Sequence, residues 1–95
     1  MKSIIQSKKE CIVCLATVNL HEHHCLHGSG NRKQSEVYGL KVWLCASHHN
    51  MSDEGVHNKN TTLDTRLKVL AETKFIECYG SDIQGFIQIF GRNYL

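Results

Sequence analysis

The sequence contains no proline, no long apolar run and little imbalance of charge. A membrane-crossing helix needs about 20 apolar residues in succession, and no stretch of the chain approaches that length. The first ten residues are interrupted by Lys2, Lys8 and Lys9 and contain no apolar core of signal-peptide length. These absences favour a protein that contacts no membrane and stays in the cytoplasm.

The chain of 95 residues is long enough for one small domain with a thin apolar core. Domains of this size are often stabilised by a metal ion or by disulfides. The formal net charge of +2 permits a polyanionic partner without requiring one. Within a single domain spanning 1–95, we distinguish a polar, loose lead-in (1–10), a region that holds every histidine (11–58) and a helical tail (61–95).

Five cysteines and seven histidines are the unusual feature of the composition. An odd number of cysteines in a chain expected in the cytoplasm argues against a disulfide framework. Four of the five cysteines and all of the histidines lie between Cys11 and His57. This crowding indicates metal binding.

Two pairs of residues have the two-residue gap that lets both side chains reach one ion. Cys11 and Cys14 form the first pair, and Cys45 and His48 form the second. Structural Zn²⁺ sites take four such ligands in a tetrahedron. A redox role for the first pair would need a thioredoxin-like βαβ context, which the sequence does not show. We therefore predict a closed structural zinc site.

The elements expected around these ligands are strand, loop, strand and helix. Residues 18–24 and 40–45 read as strands, the second with β-branched and aromatic residues in alternation. Residues 27–34 are predicted to form a polar loop between them. A helix is expected to open after Cys45 and to end at Gly55.

Two further helices are expected in the tail, where apolar residues recur at three- and four-residue steps. Gly80 separates them, and Ser81 with Gln84 has the spacing of a capping box for the second helix. We expect both helices to be scaffold without a catalytic role. The remaining cysteines, Cys25 and Cys78, are expected to be packing residues.

The sequence also contains two pairs of adjacent histidines, His23 with His24 and His48 with His49. Neighbouring residues in a strand point to opposite faces, and neighbours on a helix point about 100° apart. One member of each pair can therefore bind a metal ion while the other has a different task.

The whole pattern resembles the HNH nucleases. It runs from Cys-x-x-Cys through His-His at a strand end and an aliphatic strand closing in Leu-Cys to x-x-His-His-Asn. It covers residues 11–58 and is closest to small phage-type and recombination-associated HNH proteins, which also carry an element like Gly55-Val56-His57. The resemblance implies an α+β fold with a zinc-stapled ββα-metal core, here followed by two helices. It also implies an endonuclease that hydrolyses DNA phosphodiester bonds and leaves 5′-phosphate and 3′-hydroxyl ends.

Carried over by position, the resemblance gives His24 the role of general base. His23, His49 and His57 take the places of the ligands of an active-site ion, which would be Mg²⁺, Mn²⁺ or Zn²⁺. Asp53 is the alternative to His57 as third ligand, because it lies four residues after His49 on the same helix face.

One departure from the family concerns the middle asparagine, whose place before the second strand is taken by Leu40. Because that asparagine orients the base and its loop, its loss puts catalytic efficiency in question more than metal binding. Asn31 and Asn50 are the candidates to replace it.

The implied partner is DNA, with phage or recombination proteins as further partners and the host cytoplasm as the location of a phage-encoded chain. Arg32, Lys33 and Lys41 are candidates to hold flanking phosphates. An ordinary solvated loop explains these three basic residues equally well.

The alternative function is a non-catalytic zinc-binding module that binds nucleic acid or a protein. It needs only the structural zinc and the basic loop, and it leaves the remaining histidines without a role. Two other metalloenzyme classes are excluded. Cys25 stands where the zinc-protease motif beginning at His21-Glu22 needs its second histidine, and the zinc-deaminase signature requires a proline.

Overall fold

The structure is a computed structural model, and it describes all residues except Ser29, 52–54 and 58–60. In the described part of the chain the elements follow in this order: β1 (Leu20–His24), α1 (Asn31–Tyr38), β2 (Lys41–Cys45), a π-helical turn (Ser47–Met51), α2 (Thr61–Tyr79) and α3 (Ile83–Phe90). The α+β class and the two predicted strands are confirmed, to within two residues at each strand end.

The two strands pair antiparallel, with His23 opposite Val42 and His24 opposite Lys41. Because side chains alternate along a strand, His21 and His23 share one face of the sheet with Val42. The other face carries His24 and Lys41. The adjacent histidines of β1 are thus divided between the two faces, as the sequence predicts.

The predicted polar loop is wrong from Asn31 onward, because residues Asn31–Tyr38 form helix α1. Gly30 and Gly39, both with positive φ, bound the helix at its two ends. The buried Ser35 hydroxyl accepts from the Leu26 amide at 3.1 Å and donates to the Leu26 carbonyl at 2.7 Å. This helix escaped prediction because its six leading residues are polar and give no apolar stripe.

The lead-in is not loose, which corrects the expectation for residues 1–10. The Ile4 amide donates to the Gly39 carbonyl at 2.9 Å, and the Gln6 side-chain oxygen accepts from the Trp43 amide at 2.9 Å. These contacts cover the edge of β2 that does not face β1, and an otherwise open strand edge is thereby closed.

The helix expected after Cys45 is a π-helical turn from Ser47 to Met51, and its expected continuation lies outside the described residues. The Val56 amide donates to the His48 carbonyl at 2.7 Å, and the His57 amide donates to the His49 carbonyl at 3.1 Å. The chain therefore returns across the turn after Gly55 and brings His57 beside His49.

The tail forms the two predicted helices, and their apolar side chains complete the core. Phe75 and Phe86 lie with ring centroids 5.6 Å apart, and Phe86 stacks on Phe90 at 4.7 Å. Cys25 is fully buried in this core. Cys78 is exposed, so its predicted packing role is wrong. None of the described helices is long and apolar enough to cross a membrane.

The N-cap of α3 offers a local test of the fold by mutation. Asp82 occupies the N-cap and its carboxylate accepts from the Gly85 amide at 2.8 Å, which corrects the expected Ser81 cap. Asp82→Ala should lower the free energy of unfolding by about 1 kcal/mol, measured by urea denaturation. The matched control is Ser81→Ala, which should leave stability unchanged. A larger loss for Ser81→Ala than for Asp82→Ala would contradict the assignment.

Candidate metal centre

Cys11, Cys14, Cys45 and His48 form a cluster, here called the cysteine cluster. Their donor atoms all lie within 4.8 Å of one another. Cys45 Sγ is 3.2 Å from His48 Nδ1, and Cys14 Sγ is 3.7 Å from Cys45 Sγ. The segment before β1 supplies the thiols of Cys11 and Cys14, the end of β2 supplies Cys45, and the π-helical turn supplies His48. This cluster can hold a metal ion such as zinc.

The electrostatics of the cysteine cluster favour a thiolate at Cys11, whereas at Cys14 a backbone hydrogen bond from Ala16 is outweighed by burial and by the neighbouring thiols of Cys11 and Cys45, which raise the pKa of Cys14. Burial opposes ionisation of Cys11, but backbone hydrogen bonds from Cys45, Cys14 and Val13 prevail and lower the pKa of Cys11 to about 6. Thiolates are the form that binds metal. Cys25 behaves differently, because burial raises the pKa of its thiol to about 12.

The cysteine cluster should bind zinc tightly and should be required for folding, because metal binding and folding are coupled in such domains. Cys14→Ser should lower the bound zinc below one equivalent and unfold the domain, measured by elemental analysis and circular dichroism. The control is Cys78→Ser, which alters an exposed cysteine outside the cluster and should retain both zinc and fold. A well-folded wild type without zinc would contradict the prediction.

His23, His49 and His57 form a second group, the histidine cluster, with donor atoms within 4.8 Å of one another. His23 is only 2% exposed, and its Nε2 is a buried atom without a hydrogen-bond partner among the described residues. Ring centroids are 4.9 Å apart for His23 and His57, and 4.6 Å apart for His49 and His57. An unpartnered buried nitrogen facing two further imidazoles is the arrangement expected of a metal site. The rival ligand Asp53 lies outside the described residues.

His21 contacts the histidine cluster from the same face of β1, and sequence reasoning gave it no role. Its Nδ1 lies 2.9 Å from Nδ1 of His49. Because this contact occupies one nitrogen of the His49 ring, Nε2 is left to bind an ion. The signal available in the sequence was the two-residue step from His21 to His23, which places both on one face of a strand.

The imidazoles of the histidine cluster are held in the neutral form that binds metal. Burial, with His57 and His49 nearby, lowers the pKa of His23 to about 3. Burial, with His57 and His21 nearby, lowers the pKa of His49 to about 4. The pKa of His57 is also lowered, mainly by burial.

These shifts predict a pH dependence. The folded chain takes up protons at His23 and His49 less readily than the unfolded chain, whose histidines titrate near 6.5. The unfolded state therefore binds more protons between about pH 4 and 6.5, and the free energy of unfolding falls as pH drops through that range. NMR of ring protons, with the cysteine cluster alone loaded, should show both rings neutral at pH 5. Midpoints near 6.5 for both rings would contradict this.

His24 lies on the other face of β1 and contacts helix α1. Its Nε2 is 2.9 Å from Oε1 of Glu36. Lys41 Nζ donates to the same carboxylate at 2.9 and 3.1 Å. The hydrogen bonds from His24 and Lys41 hold the pKa of Glu36 well below its usual range, so this carboxylate is charged and can orient the His24 ring.

The contact of Glu36 with His24 was missed by sequence reasoning, because the loop prediction hid helix α1. The Asn31 side chain donates instead to the Phe90 carbonyl at 3.1 Å. Asn50 lines the cleft described next. Leu40, at the position of the family's asparagine, is fully buried in the core.

A cleft of about 250 Å³ is lined by both His23 and His24 and is here called the histidine cleft. It is lined by Glu22, His23, His24, His27, Arg32, His49, Asn50 and His57. Arg32 and Lys33 are exposed on α1. Lys41 is only 8% exposed, and its ammonium is paired with Glu36 at 2.9 Å and with Glu22 at 3.4 Å. We therefore assign no phosphate contact to Lys41, in contrast to the expectation from sequence.

Comparison with known proteins places the chain in no family. No family model matches it, and no curated protein or solved structure is significantly similar to it.

Proposed function

We propose that the protein is a metal-dependent endonuclease of the HNH type that hydrolyses phosphodiester bonds of DNA. One observation carries the proposal. His23, with its buried and unpartnered Nε2, and His24, with its ring held by Glu36, are adjacent in β1 and line the same cleft. A metal site and an oriented base within one cleft are the parts that hydrolysis of a phosphodiester needs.

The ligands of the proposed ion are His23, His49 and His57. A divalent ion bound there would stabilise negative charge on the phosphate and on the leaving 3′ oxygen. Among the expected ions, Zn²⁺ suits three imidazoles better than Mg²⁺ or Mn²⁺, which prefer oxygen ligands. The neutral state of these imidazoles supports the assignment, because no proton has to leave before an ion binds.

His24 acts as the general base in this proposal. Its Nε2 is engaged by Glu36 at 2.9 Å, so Nδ1 is the nitrogen that takes a proton from the attacking water. The water oxygen forms a bond to phosphorus as the bond to the 3′ oxygen breaks. The leaving oxygen is protonated from solvent, which gives 5′-phosphate and 3′-hydroxyl ends.

Arg32 is the proposed phosphate-binding residue. It is exposed on α1, lines the histidine cleft and lies close enough to lower the pKa of His49. Its guanidinium can bind a phosphate through two hydrogen bonds. Lys33, its exposed neighbour, also lines a groove beside His24 and is the second candidate for a flanking phosphate.

The binding-module alternative is favoured by one observation at the cysteine cluster. Three apolar side chains close to Cys14 in the sequence are exposed, Val13 by 45%, Leu15 by 62% and Val18 by 67%. Such a surface suits a protein partner better than DNA. This function leaves the histidine cleft without a task, and it becomes the better account if no DNA is cut.

The role of His24 is tested by cleavage of supercoiled, linear and single-stranded DNA with Zn²⁺, Mn²⁺ and Mg²⁺. His24→Ala should stay folded and keep its metal, because His24 belongs to neither metal cluster. Its cleavage rate should fall by about 10²–10⁴-fold, the usual effect of removing a positioned base. Cleavage by His24→Ala at the wild-type rate would place the base elsewhere, and a wild type inactive under every condition would favour the binding module.

The contact between Glu36 and His24 gives a second test. Glu36→Gln should slow cleavage by roughly 10–100-fold, because a misaligned base loses part of the benefit of positioning. Glu77→Gln removes an exposed carboxylate of α2 that pairs only weakly with Lys74, at 3.7 Å, and serves as the control. Single-turnover rates of the two variants should therefore differ. Equal rates would show that Glu36 does not position the base.

A further inference from the structure

His27 and Asp64 lie beside the histidine cluster, although neither follows from the sequence pattern. His27 comes after the end of β1, and Asp64 lies in the first turn of α2. His27 Nε2 is 2.9 Å from Asp64 Oδ1. A loop imidazole and a carboxylate from the distant tail are thus joined at the wall of the histidine cleft.

These two residues share His23 with the histidine cluster. The donor atoms of His23, His27 and Asp64 lie within 4.8 Å of one another. The His27 ring centroid is 5.9 Å from that of His23 and 5.6 Å from that of His57. Two overlapping sets of donors therefore meet at His23, whose Nε2 has no partner among the described residues.

We propose that His27 is a further ligand of the ion held by His23, and that Asp64 positions His27 for this task. The inference rests on the ion site of the proposed function and does not require hydrolysis. It makes helix α2, expected to be scaffold, part of the metal centre. The ligands would then be imidazoles from β1, the following loop, the π-helical turn and the Gly-Val-His element.

The hydrogen bonds of Asp64 explain why it supports a ligand instead of binding the ion itself. Its Oδ1 contacts His27, and its Oδ2 accepts from Lys68 Nζ at 2.8 Å. Both oxygens are engaged. Burial opposes ionisation, but these two partners keep the pKa of Asp64 below its usual value, so the carboxylate is charged. Metal-binding histidines commonly donate their second N–H to such a carboxylate.

A separate second ion is less favourable on the same geometry. It would have to share His23 with the first ion, and Asp64, the carboxylate of the two sets, already has its oxygens engaged by His27 and Lys68. Two divalent ions that share a ligand would lie close together and repel each other strongly in a partly buried site. One ion with His27 in its coordination sphere avoids that cost.

The test uses the full chain with zinc in the cysteine cluster, titrated with Co²⁺. Co²⁺ absorption reports the number and type of ligands, which a merely structural contact would not alter. Asp64→Asn and His27→Ala should each weaken Co²⁺ binding by roughly 10–100-fold and change the absorption spectrum. Glu77→Gln removes an exposed carboxylate of the same helix, which pairs with Lys74 at 3.7 Å, and should bind Co²⁺ as wild type does. Thermal unfolding of the zinc-loaded variants checks that each remains folded.

The outcomes separate this inference from the proposed function. If His23→Ala loses Co²⁺ binding while Asp64→Asn and His27→Ala retain wild-type affinity and spectrum, the inference is wrong and the ion site stands. If wild type takes up no Co²⁺ beyond the cysteine cluster, the ion site fails as well. If Glu77→Gln weakens binding as much as Asp64→Asn, the effect comes from the loss of negative charge on α2 and the positioning role is rejected.

Discussion

The antiparallel pairing of two five-residue strands, with His23 opposite Val42, fixes most of the candidate ligands. Alternation along β1 buries His23 on one face and turns His24 toward α1 on the other. Cys45 ends β2, and the π-helical turn follows after a single residue. A shift of one residue in this register would turn each side chain of β1 to the other face of the sheet. Both the burial of His23 and the contact of His24 with α1 would then be lost. The sheet is too short to be stable alone, so it depends on what packs around it.

The support comes from three directions. The lead-in closes the outer edge of β2, and the tail helices supply the aromatic core. The cysteine cluster joins the segment of Cys11 and Cys14 to the end of β2. A bound ion in that cluster would add stabilisation that a core of this size cannot supply by itself. The histidine cluster works against stability below neutral pH, since its buried imidazoles resist protonation. Buried groups that cost stability are often retained for a function.

Part of this arrangement could be predicted from the sequence, and physical reasons explain which part. The two-residue gaps at Cys11 and Cys45, and the split of the adjacent histidines, depend only on local geometry. The structure places the donor atoms of each group within 4.8 Å of one another. Helix α1 was not predicted, because its polar residues show no apolar periodicity. The contact of Glu36, which lies on this helix, was missed for the same reason. Asp64 was missed because its contact with His27 spans 37 residues, and no local pattern reports such a distance.

The proposed hydrolysis requires that one cleft hold an ion beside an oriented base. Anomalous X-ray diffraction from crystals of the zinc-loaded protein with a short, uncleavable DNA duplex tests it most directly. We expect two zinc peaks, one in the cysteine cluster and one among His23, His49 and His57, with a phosphate next to the second and His24 Nδ1 facing it. A single peak in the cysteine cluster, with the DNA bound elsewhere, would rule out an ion beside an oriented base.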